Sequence, residues 1–305
     1  MPAATTILMI RPAAFGFNAE TAANNFFQQK QTQGKNGIHS TAVKEFDEMV
    51  SLLKENLIDV LVIEDTITPT KPSAIFPNNW LSTSPDGKIC VYPMYAANRR
   101  AEKRDDILKL LADKYIVTSV QDWSEYEAEG RFLEGTGSMV IDHDNKMIYA
   151  AISGRTSPAV LEKFASANGF SAVVFLANDN NGNPVYHTNV VMALGEKFCV
   201  LCEDTIEEEW ELIAVKQLLE STEHEIISIT KDQMHHFAGN MLEVKNKKGE
   251  SVLIMSSTAF EALTNDQKER LQAFAQLLPV AIPTIESAEG GSVRCMIAEI
   301  FLQHK

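Results

Sequence analysis

This chain has little of what would fix its class by composition alone. Four cysteines in 305 residues cannot form a disulfide scaffold, so free thiols in a reducing, cytoplasmic setting are expected. Basic residues are outnumbered 27 to 41, and the resulting formal charge of -14 repels phosphate backbones, which argues against a nucleic-acid partner. Long apolar runs are missing. Within Met1–Phe15 only Ile7-Leu-Met-Ile10 is apolar before Arg11-Pro12 interrupts it, too short for a signal-peptide core or a membrane span. Gly135-Thr-Gly137 is too short for a dinucleotide fingerprint. His235-His236 has no spaced carboxylate or cysteine set around it, so neither a cofactor nor a metal is expected. Oligomeric state is not legible.

What is present is the content of an α/β protein. At 45% hydrophobic and 22% charged residues the chain can bury a sizeable core. Strand-length apolar runs recur at Ile7–Ile10, Val60–Ile63, Ile89–Tyr92, Met147–Ile152, Ala172–Leu176, Phe198–Leu201 and Val252–Met255. Between them, helical spacing of apolar residues predicts helices over Val43–Glu55, Arg104–Lys114, Pro158–Asn168, Ile206–Glu220 and Asp266–Leu278. Thr205 and Asn265-Asp266 carry helix-entry chemistry. No linker or low-complexity block divides the sequence, so residues 1–305 read as a single domain.

Five segments repeat a tight Gly or Asn turn running into an apolar strand. They are Phe76-Pro-Asn-Asn-Trp80, Glu134-Gly-Thr-Gly-Ser-Met-Val140, His187-Thr-Asn-Val-Val-Met192, Ala238-Gly-Asn-Met-Leu242 and Gly290-Gly-Ser-Val-Arg-Cys-Met296. Aligning Asn79, Gly137, Asn189, Asn240 and Ser292 gives steps of 137−79 = 58, 189−137 = 52, 240−189 = 51 and 292−240 = 52 residues. So regular a step marks a repeated unit of strands and one helix. If the units close around an axis, Asn79, Glu134, His187, Asn189 and Cys295 share one pocket.

Each residue has a plain reading beside the functional one. Cys295 is a nucleophile or a buried inert thiol, and activation needs a cation or helix end nearby, which Arg294 alone does not guarantee. His187 is an acid/base or a structural histidine. Glu134 orients an imidazole or is a loop acid. Arg99, Arg100 and Arg155 suit bidentate capture of a carboxylate or are solvated charges. Cys199 and Cys202 lie on a strand pattern whose positions three apart point to opposite faces, so they and Cys90 read as core.

Taken in order, these segments resemble the guanidine-modifying enzymes of the pentein fold, which include arginine deiminases, dimethylarginine dimethylaminohydrolases and glycine amidinotransferases. The likeness is greatest to the amidinotransferase-related citrulline-utilisation hydrolases. It is carried by Phe15-Gly-Phe-Asn-Ala-Glu-Thr21, Asn24-Asn25, Phe76-Pro-Asn-Asn-Trp80, Tyr92-Pro-Met94, Asn98-Arg-Arg100, Leu133-Glu-Gly-Thr-Gly-Ser-Met139, Ser153-Gly-Arg-Thr156, His187-Thr-Asn189, Gly239-Asn-Met-Leu-Glu243 and Ser292-Val-Arg-Cys-Met-Ile-Ala-Glu299. The resemblance implies a five-bladed α/β propeller around a central pocket. It also implies Cys295 as nucleophile, His187 as acid/base, Glu134 as its orienting carboxylate, and Arg99 or Arg100 with Arg155 holding the carboxylate of a small amino-acid substrate.

The chain departs from the arginine-processing members where the substrate is gripped. They carry carboxylates where Asn79 and Asn189 stand, and an aspartate where Gly137 stands. Two neutral amides suit an uncharged ureido group better than a guanidinium. The expectation is therefore hydrolysis of a citrulline-like substrate through an S-carbamoyl or related intermediate. Arginine-type hydrolysis, amidino transfer to another amine, and a non-catalytic binding protein of the same fold, such as the ribosome anti-association factors, stand as alternatives.

Overall fold

The computed structural model describes residues 3–29 and 35–305; Met1 and Pro2 of the N-terminal stretch lie outside the described residues. The described residues build five three-stranded sheets by one rule of connection. The first strand of a sheet turns back on the second, and a helical crossover then returns the chain as a third strand parallel to the second. The opening segment supplies β1 (Thr6–Arg11), helix α1 (Lys35–Glu55) and β2 (Asp59–Glu64), with β1 and β2 parallel from Thr6↔Asp59 to Arg11↔Glu64. Next come β3 (Leu81–Thr83), β4 (Lys88–Val91), α2 (Asp105–Lys114) and β5 (Ser119–Asp122). The third unit holds α3 (Gly135–Ser138), β6 (Val140–Asp142), β7 (Met147–Ala151), α4 (Pro158–Asn168) and β8 (Ser171–Phe175). The fourth holds α5 (Thr188–Val191), β9 (Met192–Leu194), β10 (Phe198–Leu201), α6 (Glu209–Ser221) and β11 (Glu225–Ser228).

The fifth unit contains α7 (Lys231–His235), β12 (Leu242–Lys245), β13 (Ser251–Ser256), α8 (Ser257–Ala262), α9 (Asn265–Gln272) and β14 (Gln276–Val280). After α10 (Pro283–Glu289), β15 (Ala298–Ile300) completes the sheet of β1 and β2 by pairing antiparallel with β1, Thr6 opposite Ile300. Local chemistry explains the boundaries. Helix α4 opens with Pro158 at its first position and stops at Gly169 in the left-handed conformation. Helices α7 and α9 begin with capping boxes, Thr230 with Gln233 and Thr264 with Gln267, each satisfying two otherwise orphaned N–H groups.

Three boundaries differ from the sequence reading. The stretch Asp266–Leu278, expected as one helix, ends its helix at Gln272, and Gln276–Val280 becomes a strand. There Leu278 and Val280 are buried in alternation while the backbone pairs with β13. Thr205 does not open a helix: its Oγ1 donates to Cys202 O at 2.7 Å inside a 3₁₀ turn, and α6 starts at Glu209. Helix α1 starts at Lys35 rather than Val43. The recurring turns are also more structured than expected. Four of the five are single helical turns, Pro77–Asn79, α3, α5 and Val293–Met296, each delivering the first-in-sequence or closing strand of a sheet.

These short turns touch one another. Pro77–Asn79 packs against α3 and against Val293–Met296, and α3 packs against α5. The approach of the first pair is so close that a Cβ on Gly135, itself at φ +47°, would lie 2.3 Å from Asn78 O. Only glycine fits there. Among the described residues no helix is long and apolar enough to cross a membrane.

Candidate active site

Asn79, Arg99, Arg155, His187, Glu289 and Cys295 line one pocket, which the segment carrying Thr21 and Asn25 also borders. Its cavity volume is about 20 Å³, room for about one water molecule. Glu134 lies behind the pocket wall at 0% exposure and reaches it through His187, whose Nε2 is 2.8 Å from Glu134 Oε2. Burial drives the His187 pKa down to about 4, so the ring is neutral at pH 7. Burial alone would raise Glu134, but Arg155, His187 and Arg99 outweigh it and hold the carboxyl well below its ordinary range. An ionised carboxylate only accepts, so Nε2 carries the proton and Nδ1 is left with its lone pair. Tyr95 N donates to the other oxygen, Oε1, at 2.9 Å and fixes the carboxylate plane.

Cys295 sits in the last helical turn with its thiol pushed up by burial. Amide groups moderate this. Asn240 Nδ2 donates to Sγ at 3.4 Å, and the Asn189 amide lies 3.7–3.8 Å from Sγ. The orientation of Asn240 follows from its neighbours: Arg294 N donates to its Oδ1 at 3.0 Å, so Nδ2 must face Sγ and Asn189 O, the latter at 2.7 Å. The guanidinium of Arg294 turns away, tied to Ile297 O at 2.9 Å and Glu299 at 2.8 Å.

Asn79 is oriented just as firmly. Its Oδ1 accepts from Arg99 NH1 at 2.8 Å, while its Nδ2 is buried without a partner. Arginine has no acceptor, so the amide cannot be turned round. A Cβ on Gly137 would meet this Nδ2 at 2.5 Å and His187 Nδ1 at 2.7 Å, which leaves no space for an aspartate there.

The arginines divide differently from the expectation. Arg99 is spent within the protein, on Glu102 at 2.8 and 2.9 Å, Phe76 O at 3.3 Å and Asn79. Arg155 contacts Glu134 at 3.5 Å, lies over the Tyr186 ring at 4.8 Å, and otherwise donates to neutral acceptors, Asn24 Oδ1 at 2.6 Å and Thr21 O at 3.1 Å. Arg100 does not line the pocket. It is bound to Met94 O at 3.2 Å and pairs with Glu127 at 3.5 Å, because the 3₁₀ turn Ala97–Glu102 sends adjacent residues in different directions.

Two residues escaped the sequence reading, Glu289 in the pocket lining and Asn240 against Cys295 Sγ. Asn240 stands at the equivalent position of the fourth turn, and that alignment was the available signal. Glu289, beside the Gly290-Gly291 turn, had none, since it belongs to a helix end rather than a repeat position. Cys90, Cys199 and Cys202 are buried thiols, as read; burial raises Cys90 to about 11 and Cys202 to about 12. No group of three or more potential metal ligands occurs among the described residues.

A buried cysteine and a histidine–carboxylate pair beside arginines, on five small α/β sheets, define a pentein enzyme of the guanidino-modifying superfamily. Within it, the chain belongs to the hydrolase family described as N,N dimethylarginine dimethylhydrolase, eukaryotic, which it matches over residues 11–302. The N-terminal domain of ArgZ, an arginine dihydrolase from the ornithine-ammonia cycle in cyanobacteria, solved bound to substrate, is similar with a TM-score of 0.71 at 15% identity, covering 96% of this chain and 97% of that one. Against the apo ArgZ chain the TM-score is 0.74 at 15% identity, with 96% of this chain covering 40% of the other's length. DDAH from Pseudomonas aeruginosa, complexed with citrulline, gives 0.68 at 15% identity over 98% and 100% of the two chains. No curated protein matches in sequence.

Proposed function

We propose that this protein is a cysteine-dependent hydrolase of the terminal ureido group of an amino acid, with citrulline as the reference substrate. The observation that carries the reading is the orientation of Asn79. Arg99 holds its oxygen, so the pocket receives an unpaired N–H donor. A ureido oxygen accepts such a donor, whereas a guanidinium offers only more donors. A buried donor left unmatched costs about 1–3 kcal/mol, and this penalty separates the two substrates.

The remaining residues take the roles that fit their chemistry. His187 Nδ1 accepts the Cys295 proton, the thiolate adds to the ureido carbon, and the C–N bond to the substrate's side chain breaks. His187 returns the proton to the departing amine, giving ornithine. Water, deprotonated by His187, then cleaves the S-carbamoyl enzyme, and the released carbamate decomposes to ammonia and carbon dioxide. Asn240 and Asn189 hold the sulfur. Arg155 anchors the substrate carboxylate, which replaces the neutral acceptors Asn24 Oδ1 and Thr21 O with a charge-assisted pair. Because a cavity of about 20 Å³ holds about one water, the Thr21–Asn25 segment withdraws for entry.

In this reading residues 1–305 form one domain, a five-bladed propeller whose blades are the five sheets, and the free thiols suit a cytoplasmic location. A guanidino substrate is the second reading, supported by the family description. Ornithine and ammonia measured from citrulline and from arginine, side by side, test the choice. Citrulline turnover is expected; turnover of arginine without citrulline overturns the ureido reading.

A further inference from the structure

Glu289 lines the same pocket, takes no part in the chemistry above, and forms no ion pair among the described residues. It is 4% exposed. Its Oε2 accepts from Ser73 Oγ at 2.7 Å, while Oε1 is buried with no partner. The other pocket charges are matched, Arg99 by Glu102 at 2.8 Å and Arg155 by Glu134 at 3.5 Å. A buried carboxyl oxygen left without a hydrogen-bond partner is costly, so its persistence beside the cavity points to a ligand that brings the missing donor.

The surroundings of Glu289 place it at the head-group end of the pocket. Asn18 Nδ2 donates to Ser73 Oγ at 2.9 Å, and Asn25 Nδ2 donates to Glu289 O at 2.9 Å. Both asparagines belong to the covering segment whose Thr21 and Asn24 occupy Arg155. An arginine that spends its remaining donors on neutral acceptors and an acid whose Oε1 lacks a partner, both served by one covering segment, match the carboxylate and ammonium of a free α-amino acid.

We propose that Glu289 receives the α-ammonium group of the substrate and thereby selects free amino acids over otherwise identical ureido acids that lack the amino group. This rests on the ureido-hydrolase reading for the identity of the reacting end, but not for the head group. A cation there also restores the charge that burial suppresses, since burial lifts Glu289 to about 8.

The test compares kcat/KM for citrulline and for 5-ureidopentanoate, the same molecule without its amino group, in the wild-type enzyme and in Glu289→Gln. The wild type is expected to prefer citrulline by about 10- to 150-fold, the range of a hydrogen bond to a charged group. In Glu289→Gln citrulline falls to the level of 5-ureidopentanoate through a raised KM, while 5-ureidopentanoate itself is unchanged. Equal losses on both compounds, or no loss on either, overturn the assignment. Should the variant not fold, the wild type alone decides, because absence of a preference is fatal to the proposal. If the enzyme turns over arginine and neither ureido compound, the ureido reading has failed on its own. The same ratio, taken for arginine against 5-guanidinopentanoate, then judges Glu289.

Discussion

Arg99 decides which end of the Asn79 amide faces the pocket. The two are joined at 2.8 Å, and the guanidinium is itself locked by two bonds to Glu102. A buried ion pair thus sets the polarity of a neutral group that lines the pocket.

Asn79→Asp should reverse the preference for the reacting end. One carboxylate oxygen would keep Arg99, and the other would present an acceptor where the amide now presents a donor. Citrulline kcat/KM is expected to fall by about 10- to 150-fold and arginine turnover to rise. Parallel assays on both substrates check this, and an equal loss on both would count against the donor–acceptor explanation.

Asn240→Ala removes the nearest N–H donor to Cys295 Sγ. The thiol, already raised by burial, should rise further, and labelling by a haloacetamidine at neutral pH should slow about tenfold. The pH midpoint of labelling moves upward with it. A loss of rate with an unmoved midpoint would mean that Asn240 only shapes the turn. Leaving Asn189 O and Arg294 N without their partner also costs about 1–3 kcal/mol of stability, visible in urea unfolding.

Stability against pH separates His187 from Glu289, because their shifts have opposite sign. His187 falls from 6.5 to about 4, so its contribution is complete above 6.5 and is lost as the pH drops toward 4. Glu289 rises from 4.5 to about 8, so its contribution is complete below 4.5 and is lost as the pH climbs to 8. Between 4.5 and 6.5 the two slopes oppose each other. From 6.5 to 8 only the Glu289 decline remains, at up to about 1.4 kcal/mol per pH unit. Urea titrations across pH 5–9 should show that decline in the wild type and not in Glu289→Gln. A variant that keeps it would assign the decline elsewhere.

The repeat step made the sheets legible, because each unit reuses one pattern of apolar strands around a helix. Pro158–Asn168 came out with its observed bounds, since Pro158 and Gly169 punctuate it in the sequence. Asp266–Leu278 did not, because Leu277 and Leu278 fit a helical face and a strand equally well, and pairing with β13 decides between them. At the candidate site, the spacing anticipated the meeting of Cys295, His187 and Asn79 in one pocket, whereas Glu134 lies behind it on His187 and Asn189 behind it near Cys295 Sγ rather than in its lining. Arg99 and Arg100 were not separable, because adjacency in sequence says nothing about which side chain a 3₁₀ turn buries. Glu289 was invisible for a related reason: its meaning comes from the missing partner on Oε1, a property of the assembled pocket alone.

The turn that carries Cys295 leads straight into β15, and β15 is held by β1, so the sheet beside this thiol joins residues 6–8 to residues 298–300. Pairings across such separations pay their loop-closure entropy last, which makes this sheet a late one to assemble. Until then Cys295 is an ordinary thiol without Asn240 beside it and without the pocket it shares with His187. With Cys295 as the nucleophile of the proposed function, its arming is thereby coupled to completion of the fold, and a nascent or partly unfolded chain would carry only an ordinary thiol.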